Sequence, residues 1–427
     1  MTITFIGHGY VGLVTAAVFA DFGNKVWVVG RTPSKIDRLK KGDPIFYEPE
    51  LKELLQRNLD AERIQFTLDY QEAVGESDVV FIAVGTPPQS TGEADLSTVF
   101  EVAQKIGKNL KKGFTVVSCK STVTIGTNKK IAEIVEKAKP DGAEFAIASV
   151  PEFLAQGTAI QNTFHPDRVV LGSDSKEAIA LLTELHKPID APNIVTDLAS
   201  AELIKYTANA MLATKISFAN LIAEFSEKTG ANVESVLDAV GIDRRIGRVF
   251  MNPGVGYGGS CFPKDVKALI QIGKSLGIDT VLLEGVEKVN LDMRHNVIDK
   301  IVSNSKDKDI AILGLSFKPN TDDIREAPSV YIIKELLEKG FKINVYDPEA
   351  MVKIKGLFGD KINFFGDSYS ALDGKSTLVV LTEWNEFKEL DLEKVKQMGV
   401  EIIIDGRNIY DPEKMRSLGI NYIGVGR

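Results

Sequence analysis

Short apolar runs alternate with helical patterns along the first 196 residues and again from about residue 304; between them the period is helical throughout. Residues 2–7 read as a buried strand, residues 11–22 as a helix and residues 26–29 as a second strand. Further strand-like runs fall at 78–84 (DVVFIAV), 115–122 (TVVSCKST) and 144–151 (EFAIASVP). Continuous apolar runs separated by helical segments predict βαβ units and a parallel sheet buried on both faces. From about 197 long helices are expected at 199–229, 232–240, 263–276 and about 280–303. The alternation then returns: DIAILGLSF, INVYDP, STLVVLT and EIIIDGR read as strands, SVYIIKELLEKG and DLEKVKQMG as helices. The chain is therefore expected to be α/β in three parts: 1–196, an all-helical middle at 197–303, and 304–427.

The first strand runs into GHGYVG, which places Gly7, Gly9 and Gly12 in G-x-G-x-x-G spacing between a strand and a helix. That context makes the N-terminal part a Rossmann dinucleotide-binding domain: the first glycine permits the turn, the second lets pyrophosphate approach, and the helix N-terminus faces the anion. His8 is an uncommon residue in such a fingerprint, and its side chain is expected to point away from the phosphates. After the second strand an acid normally binds the adenosine ribose, but this chain has Gly30-Arg31-Thr32. Loss of the carboxylate and gain of a guanidinium admits a 2′-phosphate, hence NADP; an Arg31 stacked on adenine would leave NAD in use. Gly85-Thr86-Pro87 and Ser121-Thr122 end later strands and are expected at the cofactor crevice, as is Glu152 after the strand at 144–151. Cys119 falls within a strand and is read as core; His165 is expected to help a turn before Pro166.

The second cysteine lies in GVGYGGSCFPKD, residues 254–265. Four glycines precede Cys261, and a helix is expected to begin near Pro263 with Asp265 in its first turn. A thiol at a helix N-terminus beside Lys264 is favoured as thiolate, the nucleophilic form. On the helix at 199–229, Lys205 and Asn209 are four apart and share a face, a cation and a neutral donor among apolar neighbours. The C-terminal part lacks a glycine fingerprint, but KPNTDDIR puts Lys318 and Arg325 on a loop at the carboxyl edge of its sheet.

Composition narrows the setting. The 427 residues exceed one ordinary core. A net charge of -8 gives no general affinity for nucleic acid or an anionic membrane. Two cysteines argue for a reducing compartment, the cytoplasm, and with four histidines they supply no metal-ligand spacing. The apolar N-terminus lacks a basic leader and is broken by glycines and Asp21, and no other stretch is long enough to span a bilayer.

Taken together, GHGYVG, VGTP, KSTV, PEFL, ELIKYTANA, RIG–x6–PGVGYGGSCFPKD and SFKPNTDDIREAPS resemble the UDP-glucose/GDP-mannose dehydrogenase family along the whole chain. The resemblance implies a Rossmann domain, a central helical dimerisation region with a long connecting helix, and a C-terminal Rossmann-like domain for the sugar nucleotide. It implies oxidation of a sugar C6 alcohol to a carboxylate by two nicotinamide cofactors in turn, NAD being usual. Cys261 then captures the aldehyde as a thiohemiacetal that becomes a thioester. Lys205 and Asn209 correspond to the groups that stabilise the oxyanion, and Asp265 to an acid that holds water near the thiol. Thr122 and Glu152 correspond to groups that place water and relay protons. Cofactor contacts implied by the resemblance are Gly7, Gly9, Tyr10, Val11, Gly12, Arg31, Lys35, Thr86, Thr122, Glu152, Lys264 and Arg325. Substrate contacts are Glu152, Phe153, Leu154, Lys205, Asn209, Phe250, Met251, Asn252, Pro253, Gly254, Gly258 and Lys318, with Arg245 reaching the substrate of a partner subunit in a homodimer.

PGVGYGG before Cys261 favours a UDP-glucose substrate over GDP-mannose, and Ser260 argues against UDP-N-acetylmannosamine, whose enzymes usually carry His there. A non-catalytic nucleotide-sugar binder on this fold would have lost Cys261, Lys205 or Asn209, and this chain keeps all three. Three positions depart from the family: Gly30 for the ribose-binding acid, Gln156 for a second glutamate in PEFL-x-E, and His8 within the fingerprint.

Overall fold

The computed structural model describes all residues, Met1–Arg427. The chain divides into two compact units, Met1–Ala208 and Asn209–Arg427, and the division falls inside the long helix Leu198–Thr229.

The first unit holds eight strands: β1 Thr2–Ile6, β2 Lys25–Val29, β3 Ile64–Thr67, β4 Val79–Ile82, β5 Gly113–Cys119, β6 Ala143–Ser149, β7 Val169–Gly172 and β8 Asn193–Thr196. Their order is β3-β2-β1-β4-β5-β6-β7-β8. Neighbours are parallel except β6 and β7, which meet antiparallel at Ser149 and Gly172. The five expected strands are present. Of the other three, β3 (IQFT) and β8 (NIVT) mix apolar with polar residues and β8 is largely exposed, while the buried β7 (VVLG) was missed although it is apolar. Helix Tyr10–Asp21 is buried on nearly every side, packed on the sheet and against helices Leu51–Asp60 and Ala159–Phe164. Beneath it Phe5 and Phe81 stack at 4.8 Å, with Phe19 tilted 6.2 Å from Phe5. Burial of three aromatic side chains at one place contributes about 1.5–3 kcal/mol each to holding this helix on the sheet.

In the second unit, β9 Asp309–Leu313, β10 Lys342–Tyr346, β11 Asn363–Phe364, β12 Thr377–Val380, β13 Ile402–Asp405 and β14 Asn421–Ile423 form one sheet. Its order is β11-β10-β9-β12-β13-β14, parallel throughout. Both sheets therefore start with the doubly wound order 3-2-1-4-5-6, whose switch point beside the first strand is where such folds bind ligands. No strand interrupts the helices Val233–Gly241, Phe262–Ser275 and Val281–Asn304, as expected of the middle segment. The strand read as 309–317 stops at Leu313, because Gly314 turns at φ +92 and approaches the backbone nitrogen of Thr382 so closely that a Cβ would lie 2.5 Å from it. The segment after it is fastened by Asp347, fully buried at the end of β10. Its carboxylate accepts the backbone N–H groups of Leu315 (2.7 Å), Ser316 (3.0 Å) and Ala350 (2.8 Å), and the Trp384 indole N–H at 3.1 Å.

Candidate active site

In the first unit the fingerprint forms a cradle. Gly7 has φ +121, and a Cβ there would sit 2.3 Å from the Ala83 carbonyl oxygen; one on Gly12 would sit 2.1 Å from the Gly7 oxygen. A Cβ on Gly9 would meet nothing within 4 Å. Gly9 also heads helix Tyr10–Asp21 without a side-chain cap, so the first N–H groups face open space suited to a pyrophosphate. The residues present fit a dinucleotide. Tyr10 contributes to this region through its backbone, because its hydroxyl is bonded to Glu48. Glu48 also accepts the N–H groups of Gly157 (2.6 Å) and Ala159 (2.7 Å), which ties the segment containing Gln156 to the helix start. At the strand ends, Thr86 donates its hydroxyl to the Thr122 carbonyl at 2.9 Å and Ser121 donates to the Val84 carbonyl at 2.7 Å, so the loops after β4 and β5 are stitched together.

Arg31 and Lys35 lie exposed just after β2, and His8 is half-buried beside them. A side chain on Gly30 would come within 2.5 Å of Ile36 Cδ1 and 3.0 Å of His8 Nδ1. The His8 imidazole thus faces the end of β2, the ribose position of the fold. Burial, then Lys35 and Arg31, lower its pKa.

Glu152 and Lys205 form a buried ion pair with Nζ 3.0 Å from Oε1, and the Leu154 N–H is bonded to the other Glu152 oxygen. Phe153 lies under two cations, 3.7 Å from the Arg168 guanidinium carbon and 5.4 Å from Lys205 Nζ. Behind Glu152 a cavity of about 130 Å³ is lined by Lys120, Phe153, Arg168 and His186 among others. Sequence reasoning missed Lys120. It hides inside an apolar strand end, where its Nζ donates to the Val150 carbonyl at 3.4 Å, and burial draws its pKa down to about 8 despite the Glu152 carboxylate. Glu202 was missed as well. Its carboxylate accepts the N–H groups of Gly126 (2.6 Å) and Asn128 (2.8 Å), closing the loop that starts at Thr122.

In the second unit Cys261 is partly exposed at the N-cap of helix Phe262–Ser275, and its carbonyl accepts the Asp265 N–H at 2.8 Å. Asp265 is almost wholly buried; its carboxylate takes one hydrogen bond from Asn209 Nδ2 and one from Lys264 Nζ. Lys264 is thus paired with Asp265. The glycines before Cys261 are required by packing: a Cβ would lie 2.8 Å from the Gly406 oxygen at Gly254, 2.3 Å from the Glu326 oxygen at Gly258, and 2.7 Å from the Phe317 ring at Gly259. Gly254 donates its N–H to Asn220 at 2.8 Å, and Gly259 donates to the Arg325 carbonyl at 2.8 Å. The Arg325 guanidinium forks onto Asp323, which above all raises its pKa, with a smaller contribution from the nearby Cys261. Phe250, with φ +67, and Asn252 are exposed, whereas Met251 and Pro253 are buried. Lys318 is half-buried, 5.8 Å from the Phe317 ring centroid. Arg245 projects from the surface and pairs with Asp243.

A dinucleotide cradle on one doubly wound sheet, and a thiol at a helix N-cap in a unit built on a second such sheet, define a dinucleotide-dependent dehydrogenase. Comparisons with known proteins carry this further. Residues 1–190 match the UDP-glucose/GDP-mannose dehydrogenase family NAD binding domain, 199–292 its central domain and 311–412 its UDP binding domain. The chain belongs to the UDP-glucose/GDP-mannose dehydrogenase family, and its cofactor is a nicotinamide dinucleotide. It is 46% identical over 429 residues to the UDP-glucose 6-dehydrogenase TuaD of Bacillus subtilis, spanning 100% of this chain and 93% of that one. It is 42% identical over 438 residues to the UDP-glucose 6-dehydrogenase of Rhizobium meliloti, spanning 100% of both. A UDP-glucose dehydrogenase structure from the archaeon Pyrobaculum islandicum superposes with a TM-score of 0.92 at 38% identity, covering 99% of this chain and 97% of that one.

His186, against the cavity, yields a pH prediction. Its ring packs edge-on to Phe19 at 5.2 Å and its Nδ1 faces the Leu182 carbonyl at 2.8 Å. Burial, then Lys120, push its pKa from 6.5 down to about 4. The unfolded chain therefore binds this proton first. The stabilisation is whole above pH 6.5 and is lost as pH falls towards 4, an effect of about 3 kcal/mol by linkage. Urea unfolding of His186→Gln between pH 7 and 4 is expected to give a flatter acid limb than the parent; equal slopes would refute this.

Proposed function

We propose that this chain oxidises the C6 alcohol of UDP-glucose to the carboxylate of UDP-glucuronate. Two hydrides leave C6 and one water oxygen is added. The observation that carries the reading is the partly exposed Cys261 at a helix N-cap, one helical turn before the buried Asp265. Residues 1–196 bind the dinucleotide, 197–303 carry the thiol and the subunit contact, and 304–427 bind the UDP moiety.

The bound nicotinamide supplies the hydride acceptor. Gly7, Gly9 and Gly12, with the backbone of Tyr10 and Val11, hold the pyrophosphate, and Thr86 and Thr122 border the ring site; Lys264 and Arg325 complete the cofactor contacts. Cys261 Sγ adds to the C6 aldehyde to give a thiohemiacetal, and loss of the second hydride leaves a thioester that water cleaves. Lys205 and Asn209 stabilise negative charge on the C6 oxygen. Lys205 is held ready by Glu152; Asn209 gives one N–H to Asp265 and keeps a second for the substrate. Glu152, Thr122 and Asp265 place water and carry protons. Gln156 is neutral, so Glu152 is the carboxylate of its segment available for hydrolysis. Phe153, Leu154, the backbone of residues 250–254, Gly258 and Lys318 embrace the sugar nucleotide.

NADP is used alongside NAD, an inference supported by Gly30 and the exposed Arg31. The chain is a homodimer. On the long helix Met211, Phe218 and Phe225 recur every seven residues, exposed by 58%, 48% and 61%, with Leu221 beside them; a heptad-spaced apolar seam of this kind suits a second copy. Arg245, projecting from the surface, reaches the partner's substrate. No helix is long and apolar enough to cross a membrane, and thiol chemistry suits the reducing cytoplasm.

Cys261→Ser is expected to abolish steady-state oxidation while leaving dinucleotide binding intact, and the parent should reduce two cofactors per sugar in a panel of UDP- and GDP-sugars. Normal turnover by the variant, or one cofactor per sugar, would defeat the covalent mechanism. Comparison of kcat/KM for the two cofactors should reveal turnover with NADP that Arg31→Ala weakens; if NADP is inert, NAD alone is used. Phe218→Glu is expected to convert a dimer to a monomer in light scattering, and a monomeric parent would overturn the seam.

A further inference from the structure

Resting on the reading that NADP is used, we propose that His8, Arg31 and Lys35 form the recognition site for a ribose 2′-phosphate, and that His8 takes up a proton when the site is filled. The residue after β2 marks the ribose position in a doubly wound fold, where an acid would bond the hydroxyls and repel a phosphate. Here Gly30 holds that position. The volume a carboxylate side chain would need is occupied by Ile36, 2.5 Å from an added Cβ, and by the His8 imidazole, 3.0 Å from it. The substitution is therefore more than the loss of an acid: the fingerprint histidine stands in its place, with its Nδ1 beside the Gly30 position.

The charges around that nitrogen are positive. Lys35 and Arg31 both lie close enough to oppose its protonation, after burial as the main cause. Glu101 is the carboxylate that senses Arg31, and it is already bonded to Lys105 at 2.7 Å. Burial first, and the two cations after it, disfavour a proton on His8 while no anion is near. A dianionic phosphate among them reverses the sign: it satisfies both cations and draws a proton onto His8. A 2′-hydroxyl has no charge with which to do either. The half-buried His8 can donate to one phosphate oxygen while the exposed Arg31 takes two in its fork.

The test needs no turnover. Adenosine 2′,5′-bisphosphate and AMP are titrated into the full chain by calorimetry at pH 7, in buffers of different ionisation heat. The bisphosphate is expected to bind more tightly by roughly tenfold or more, the worth of charge-assisted phosphate bonds, with net proton uptake by the protein. A phosphate monoester, with its second pKa near about 6, releases protons on meeting cations, so uptake has the opposite sign and identifies His8. Arg31→Ala should remove most of the preference. His8→Gln and His8→Asn, checked for a parental melting temperature, should lower it and abolish the uptake. Equal binding of both probes, indifferent to Arg31→Ala, would overturn both the NADP reading and the site. A preference that needs Arg31 but whose proton uptake survives both His8 variants would leave NADP use standing and overturn the role of His8.

Discussion

Both units depend on one close approach of backbone to backbone. At the end of the first strand of each sheet, a glycine at positive φ presses against the end of the neighbouring fourth strand: Gly7 against Ala83, Gly314 against Thr382. Any Cβ at these positions would push apart strands whose separation hydrogen bonding fixes near about 4.8 Å. The chain leaving the strand is thereby forced upward at the switch point of the sheet, where doubly wound folds take their ligands. The glycines permit the turn; the parallel pairings of β1 with β4 and of β9 with β12 make it necessary.

Beyond these two glycines the chain takes different courses, and the difference separates the work of the two sheets. In the first unit the next residues enter a helix with open N–H groups, which leaves room for an anion. In the second, Asp347 folds inward and consumes the N–H groups of Leu315 and Ser316 itself. Asp347 immediately succeeds β10 as Gly30 immediately succeeds β2. The acid that a dinucleotide site would aim at a ribose is used for structure in one unit and absent from the other. A buried carboxylate with four or more donors is a fixed joint; a glycine beside an imidazole and two cations leaves the end of β2 without a carboxylate.

Several of the buried charged groups lie beside the residues proposed for the chemistry. Glu152 and Lys205 pair inside the first unit, with Lys120 close enough to sense both; Asp265 sits under Cys261 with Asn209 and Lys264. Such groups are costly to desolvate, and a well-packed apolar core would be the more stable solution. Their retention in partnered arrangements is consistent with polar groups kept for substrate oxygens and water.

The alternating pattern, the strand–GHGYVG–helix order and the cysteine motif were legible in the chain because they are local: periodicity of two or 3.6 residues, and glycine spacing within one turn. Strands β1, β2, β4, β5, β6, β9, β10, β12 and β13, the helical middle and Cys261 at a helix start derive from them. Strands β3, β8, β11 and β14 did not, because they are short and polar residues interrupt them, and the buried apolar β7 lacks the flanking apolar residues that lengthen the run around β4. Nor could sequence say that the glycines around Cys261 answer to Gly406, Glu326 and Phe317, or that Lys264 is held by Asp265. His8 and Gly30, twenty-two residues apart, become one feature only when β1 and β2 lie side by side. Local residue order determined the elements and the reactive groups. Which charges face one another, and which neighbours each glycine packs against, was decided by contacts that exist only once the sheets have formed.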